Sequence, residues 1–168
     1  MSSLPDAEDL LARLADRMRA SVTPDTALVG IHTGGVWLAH RLHKALALSQ
    51  PLGTIDVSFY RDDYGSRGLH QKVRPSNIPF EVVDADIVLV DDVLHTGRTI
   101  RAAMNEVFDY GRPKSIRLVV LIDRGGRQLP ISAQFVGAEI AVARDEQIEL
   151  RKNEKDQLSL AVSPVGAA

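Results

Sequence analysis

The sequence predicts an α/β fold: a mostly parallel sheet flanked by helices and finished by a terminal hairpin. Three observations carry this. Residues 27–46 and 87–108 each read as strand, short loop and helix. The runs Ile87–Val90 and Ile116–Ile122 are apolar with little alternation, as strands buried on both faces of a parallel sheet must be. Gln147–Arg151 and Leu158–Val162, on either side of Asn153-Glu154-Lys155-Asp156, switch to alternation, the period of strands with one solvated face. Strands that alternate with helices favour parallel pairing through right-handed crossovers.

Taken in order, Asp6 is a candidate helix cap, followed by acidic Glu8 and Asp9 and then by Leu10, Leu11, Leu14 and Met18 at helical spacing. Ala27–Ile31 reads as a strand. It is followed by the glycine loop His32-Thr33-Gly34-Gly35 and by a helix whose apolar face is Leu38, Leu42, Ala45 and Leu46. Ile55, Val57 and Phe59 alternate with polar residues as in a strand, and from Arg61 to Pro79 no period survives. Ile87–Val90 ends at two carboxylates, Asp91 and Asp92. Ile100, Ala103, Met104, Val107 and Phe108 mark the clearest helix, which Gly111 and Pro113 stop. Ile116–Ile122 is a further buried strand, and Gln147–Arg151 with Leu158–Val162 form the hairpin.

The chain has 168 residues, the usual size of one domain, so 1–168 is expected to fold as a unit. Twenty basic against 22 acidic residues, a net charge of -2, argue against bulk attraction to nucleic acid or anionic lipid. There is no cysteine, which excludes disulfides, thiolate metal sites and cysteine nucleophiles. The longest uncharged stretch, Thr26 to His40, is broken by glycines and histidines, and no basic, apolar leader begins the chain. A cytoplasmic location is the expectation. His40 and His43 lie with Arg41 and Lys44 opposite the apolar helix face, which favours a wet surface over a metal site, and Trp37 reads as packing.

In parallel sheets, ligands sit beyond the carboxyl ends of strands, where loops enter helices. Asp91 to Thr99 occupies such a place. A helix starting near Thr99 offers unpaired N–H groups and the positive end of its dipole to a phosphate. Asp91 and Asp92 would repel that phosphate, so they serve another part of the ligand, either hydroxyls or a magnesium ion. A sugar phosphate satisfies both demands. Competing readings fail on spacing. Gly30 and Gly35 have P-loop separation, but Val36-Trp37 stand where Lys and Ser or Thr belong. Neither glycine loop is a dinucleotide fingerprint, and the two acids are adjacent where a carboxylate-nucleophile phosphatase needs one residue between them. A purely structural role, as turn and cap residues, remains the bland alternative.

The stretch Ile87 to Thr99, IVLVDDVLHTGRT, resembles the phosphoribosyl diphosphate-binding motif of type I phosphoribosyltransferases. Tyr60-Arg61-Asp62-Asp63, Asp109–Pro113 and Ile122–Ile131 are similar to the pyrimidine-operon regulators of that family, which also have uracil phosphoribosyltransferase activity. The resemblance runs from about Val29 to Gly137. It implies the family fold, a parallel sheet flanked by helices with a small hood and, here, a C-terminal hairpin. It also implies conversion of uracil and 5-phosphoribosyl 1-diphosphate, with Mg2+, to UMP and diphosphate. Another nucleobase is a weaker expectation, because the motif fixes the sugar phosphate and not the base.

Carried over by resemblance, Asp91 and Asp92 hold the ribose hydroxyls and, through the substrate, the magnesium ion. His95, Thr96, Gly97, Arg98 and Thr99 line the 5-phosphate loop. His32, Thr33, Gly34 and Gly35 match the pyrophosphate loop, although better-known regulators have Lys-Thr-Arg-Gly there and this chain has less fixed positive charge. Tyr60 to Pro79 matches the family's mobile lid. Arg61 within it is assigned a catalytic role at the leaving group, whereas Arg67, Lys72 and Arg74 read mainly as a solvated face. His95 either touches the nucleobase or fills the phosphate loop. Asp123, Arg124 and Gly125 begin the segment that covers uracil, with backbone groups reading its edge. RNA binding, as in an attenuator that senses uridine nucleotides, is weakly supported. RNA-binding relatives place Thr, Arg and His where this chain has Ala12, Arg13 and Asp16, and basic residues where Ser132 and Ala138 stand. A homodimer or higher oligomer is expected by resemblance alone.

Overall fold

The computed structural model describes residues 4–58 and 75–166. The first helix, α1 (Ala7–Met18), starts where the Asp6 carboxylate accepts a hydrogen bond from the Asp9 N–H, satisfying one of the donors that every helix start leaves open. Its buried face is Ala7, Leu10, Leu11, Leu14, Ala15 and Met18, as the spacing requires. Five strands follow, separated by two helices: β1 (Ala27–Ile31), α2 (Gly34–Ala45), β2 (Gly53–Ile55), β3 (Asp86–Leu94), α3 (Arg98–Tyr110), β4 (Ser115–Asp123) and β5 (Phe135–Glu139). All four neighbouring pairs are parallel, in the order β2-β1-β3-β4-β5. β6 (Glu146–Lys152) and β7 (Leu158–Pro164) pair antiparallel as a separate hairpin.

Alternation along β3 divides the core in two. Val88 and Val90 face a cluster built from α1, α2 and the hairpin residues Ile148, Leu150 and Leu158. Ile87 and Leu89 face the other side, where Ile100, Ala103 and Val107 of α3 cover the sheet. The strand order reverses direction between β1 and β3, since β1 leads to β2 on one side and β3 leads to β4 on the other. That switch point leaves a crevice at the carboxyl ends of β1 and β3.

Several elements depart from the sequence reading. The helix after β1 already includes Gly34 and Gly35, so the glycines form its first turn and only His32 and Thr33 remain as loop. Ala39 is buried while Ala45 is exposed, because the helix has left the sheet by then. β2 ends at Ile55; Val57 is buried without belonging to a strand, and Phe59 lies outside the described residues. Phe108 is 53% exposed, since the sheet covers α3 only along the stripe through Ile100, Ala103 and Val107. β5 is an added parallel edge strand that the sequence pattern did not suggest.

Glu8 joins three parts of the molecule. One carboxylate oxygen accepts from the Leu158 N–H at 2.9 Å, and the other pairs with Arg41 of α2 at 3.1 Å. Arg41 in turn meets Asp156 in the hairpin turn. Trp37 packs against the α1–α2 core, with the Lys152 ammonium 5.1 Å from its ring centre, which is the packing role expected of it. Glu8→Ala leaves the Leu158 N–H without its acceptor. It is expected to cost about 1 kcal/mol and to lower Tm by roughly 2–4 °C, with faster amide exchange at Leu158. Thermal denaturation and hydrogen exchange check both.

Candidate functional site

β3 runs through the acid pair and does not stop before it: Asp91 and Asp92 are its sixth and seventh residues, and the strand continues to Leu94. Pairing of Asp91, Val93 and Leu94 with β4 holds this length. Asp91 is only 1% exposed, and one of its oxygens accepts from the Asp92 N–H at 2.9 Å. Asp92 accepts from the Val93 N–H at 3.0 Å. These local bonds orient the carboxylates before any ligand arrives.

β1 ends beside them. Gly30 is in register with Val90, so His32-Thr33-Gly34-Gly35 emerges next to the acids. A β-carbon on Gly34 would lie 2.4 Å from Asp92 Oδ2, and one on Gly35 would lie 2.4 Å from the Val90 carbonyl oxygen. Only glycine permits that approach, and it brings the first turn of α2 against the carboxylate-bearing strand. The His32 N–H donates to the Ile55 carbonyl of β2, and the His32–Thr33 peptide is cis. The resemblance assigned this loop and the acid pair to neighbouring parts of one ligand, and the structure brings the two together.

After Leu94 the chain turns through His95, Thr96 and Gly97 into α3. Gly97 is the cap residue at φ 94°, a left-handed conformation that favours glycine. Thr96 is 4% exposed, and its hydroxyl accepts from the Arg98 N–H at 3.2 Å. The Arg98 side chain turns to Gln128, whereas Thr99 faces a cavity of about 330 Å³. Asp91, His95, Thr96, Gly97 and Arg124 also line that cavity. So do Val93, Arg144, Gln147, Ile148 and Val165. The hairpin and its approach thus close one side of the crevice.

The segment after β4 lies across the turn that leads into α3. The Gln128 and Leu129 N–H groups both donate to the Thr96 carbonyl, and the Arg124 N–H donates to that of Leu94. Arg124 reaches the cavity. The Asp123 carboxylate instead turns back on its own segment, accepting from the Gly125 N–H at 2.9 Å and pairing with Arg127. His95 lines the cavity, while its ring packs on Gly126, where a β-carbon would lie 2.8 Å from Nε2. Arg61, Arg67, Lys72 and Arg74 lie outside the described residues. His40 is exposed, as expected; His43 is half-buried and shares a hydrogen bond with the Gln50 carbonyl at 2.7 Å, so it is not the wet residue its helix position suggested.

Sequence reasoning missed Arg127, Arg144, Gln147 and Val165. The acid and base four residues apart in Asp123–Arg127 were a usable signal for the first. Nothing local marks the other three, which reach the site only because the hairpin folds back over it. Among the described residues no group of three or more acidic, histidine or cysteine side chains is placed to hold a metal, and no helix is long and apolar enough to cross a membrane.

Burial pushes the Asp123 carboxyl up. The Arg127 hydrogen bond, the Gly125 N–H and the Arg127 charge more than offset this and hold it below its ordinary value. Glu139 stands opposite Asp123 in β5. A depressed folded pKa stabilises the segment above the ordinary carboxylate value, near 3.9, and that stabilisation is lost as pH falls through the lower folded value. The segment at 123–131 is therefore expected to loosen only below about pH 4, seen as faster exchange of the Gly125 amide. Arg127→Met should move the Asp123 titration upward in a carboxyl NMR titration.

The comparisons with known proteins agree with this geometry. A phosphoribosyl transferase domain model matches residues 2–147. Bifunctional protein PyrR of Pseudomonas paraeruginosa is 53% identical over 88% of this chain and 89% of its own. Bifunctional protein PyrR of Pseudomonas savastanoi pv. phaseolicola is 50% identical over 94% of this chain and 95% of its own. A solved hypoxanthine phosphoribosyltransferase of Trypanosoma cruzi, in complex with the product IMP, shares the fold with a TM-score of 0.63 at 24% identity, over 83% of this chain and 80% of that one. Half-identity across nearly the whole length, on a sheet whose acid pair and glycine turn share one crevice, settles the matter: the chain belongs to the phosphoribosyl transferase domain family, among relatives named Bifunctional protein PyrR.

Proposed function

We propose that the chain is a uracil phosphoribosyltransferase that joins uracil to 5-phosphoribosyl 1-diphosphate, releasing diphosphate and forming UMP. The observation that carries this is the crevice itself, in which two carboxylates, a glycine-built helix start and the Thr96-Gly97 turn before α3 meet at the β1/β3 switch point. The amino end of α3 and the N–H groups of 96–99 receive the 5-phosphate. Asp91 and Asp92 accept from the ribose hydroxyls. His32 to Gly35, at the amino end of α2, faces the diphosphate. The segment from Arg124, together with His95, borders the base.

The reaction forms the bond from uracil N1 to ribose C1 as the bond from C1 to the diphosphate oxygen breaks; the N1 proton leaves to solvent. No protein nucleophile is needed. The barrier falls through positioning and through charge neutralisation as the ribose passes through an oxocarbenium-like state. Asp91 and Asp92, through the ribose hydroxyls they hold, would position a Mg2+ ion carried by the substrate, as the hard oxygen ligands of a diphosphate favour. When bound, that ion neutralises charge on the departing diphosphate. Arg61 is assigned the same task, and Arg67, Lys72 and Arg74 are assigned none. A cytoplasmic, homo-oligomeric enzyme spanning 1–168 as one domain completes it.

A second reading rests on the relatives' printed name, which states two functions. Control of pyrimidine genes through RNA is the second function considered. The surface speaks against tight RNA binding by the residues compared above. Asp16 is exposed and pairs with Arg19 at 3.3 Å, Ser132 is exposed and neutral, and Ala138 packs on the core.

A radiolabelled uracil assay with Mg2+ and phosphoribosyl diphosphate, with guanine, hypoxanthine and orotate as competitors, is expected to give UMP with little competition. Asp92→Asn should lower kcat/KM by about one to two decades, because a charged hydrogen bond is worth roughly 1.5–3 kcal/mol. An unchanged rate would refute the assignment of the acid pair. In a gel-shift titration against a leader hairpin, binding is expected no tighter than about micromolar at physiological salt. Nanomolar, strongly salt-dependent binding would establish the regulatory reading instead.

A further inference from the structure

We propose that Arg127 is a positioning residue that sets the distance between the base-covering segment 123–131 and the phosphate loop 95–98, and so governs base recognition without touching substrate. This rests on the reading of the site given under Proposed function.

Arg127 uses one planar guanidinium to hold three separate places. Its Nε donates to the Ile131 carbonyl at 2.8 Å, one terminal nitrogen donates to the His95 carbonyl at 2.7 Å, and the other pairs with the Asp123 carboxylate. Such a fork fixes angles as well as distances, which an ammonium cannot do. The side chain is 25% exposed and Asp123 15%, so solvent competes weakly for these bonds.

The segment it braces has little stiffness of its own. Between the end of β4 at Asp123 and the start of β5 at Phe135 there is neither helix nor strand. Gly125 and Gly126 follow one another at φ 72° and 76°. Two consecutive left-handed glycines make a turn that many conformations can replace. The guanidinium closes that turn from Asp123 to Ile131 and anchors it to the phosphate loop. Its pull on the His95 carbonyl acts together with the contact of the imidazole on Gly126, so both ends of His95 are set by this segment. His95 and Arg124, the two cavity-lining residues on either side of the brace, take their places from it.

The phosphate end has independent support. The Thr96 hydroxyl accepts from the Arg98 N–H, and the Arg101 N–H donates to the Gly97 carbonyl, so the amino end of α3 is held without Arg127. The Gln128 and Leu129 N–H groups on the Thr96 carbonyl also remain when Arg127 is removed, so its loss falls first on His95 and the 123–127 turn, at the base side of the cavity.

The test compares wild type, Arg127→Met, Arg127→Lys and Asp123→Asn, with thermal melts to establish the folded fraction. Calorimetry with phosphoribosyl diphosphate and Mg2+ in the absence of base measures the sugar-phosphate side, and steady-state kinetics give KM for uracil and kcat. Arg127→Met is expected to raise KM for uracil about tenfold or more while changing the Kd of phosphoribosyl diphosphate less than threefold. Arg127→Lys should recover part of the difference, and Asp123→Asn should shift KM in the same direction by less. Should the methionine variant fail to fold, the lysine and asparagine variants carry the same split. An unchanged KM for uracil overturns the proposal. So does a parallel loss in uracil KM, diphosphate-sugar affinity and kcat that follows the unfolded fraction, since that is all a structural brace would produce. Wild type that binds the activated sugar but converts no uracil overturns the functional reading on which the proposal rests.

Discussion

Everything at the crevice depends on how closely the first turn of α2 lies against the end of β3. The absent side chains of Gly34 and Gly35 leave room for the Asp92 carboxylate and the Val90 carbonyl, each 2.4 Å from where a β-carbon would stand. This contact is steric and tolerates almost nothing else. It sets the acid pair beside the amino end of α2, and the acids lead within a few residues to the amino end of α3. Two helix starts thus point toward one carboxylate-bearing strand. In the proposed reading an anion at either start and hydroxyls between them match that charge pattern, so an acidic pair could sit between two anion sites without repelling the ligand.

The strand order makes this contact possible. Because β1 and β3 are neighbours although β2 intervenes in sequence, two loops separated by more than fifty residues leave the sheet side by side. The same arrangement divides labour between the faces. One face of the sheet is covered by α1, α2 and the hairpin, the other by α3. The hairpin is fastened through Glu8, Arg41 and Asp156 and by the apolar residues Ile148, Leu150 and Leu158. Once held there, it carries Gln147 and Ile148 to the cavity wall. Surface ion pairs such as Glu8–Arg41 contribute little stability singly, so the buried leucines and isoleucine supply most of the attachment and the ion pairs its orientation.

Much of this was legible in the chain. Periodicity located α1, β1, β3, α3, β4 and the hairpin, since each depends on local spacing of apolar residues. The acid pair and the threonine-glycine turn were legible for a similar reason: a strand end, the turn after it and the helix start that follows are contiguous in sequence and so contiguous in space. Errors fell where a neighbour decided. Ala45 and Phe108 lie on the periodic faces of their helices yet are exposed, Ala45 at the end of α2 and Phe108 beside the stripe that the sheet covers. β5 has no strong pattern of its own and forms because β4 offers an open edge.

The chain by itself therefore determined most of the elements, the identity of the chemical groups and the motif that assigns the family, all of which are short-range properties. The tertiary structure alone decided which loops meet. It placed Gly34 on Asp92, spread the Arg127 guanidinium over His95, Asp123 and Ile131, and set Arg144, Gln147 and Val165 at the cavity. The physical reason is that pairing order and helix docking minimise exposed apolar surface over the whole molecule, and no local window of sequence contains that sum.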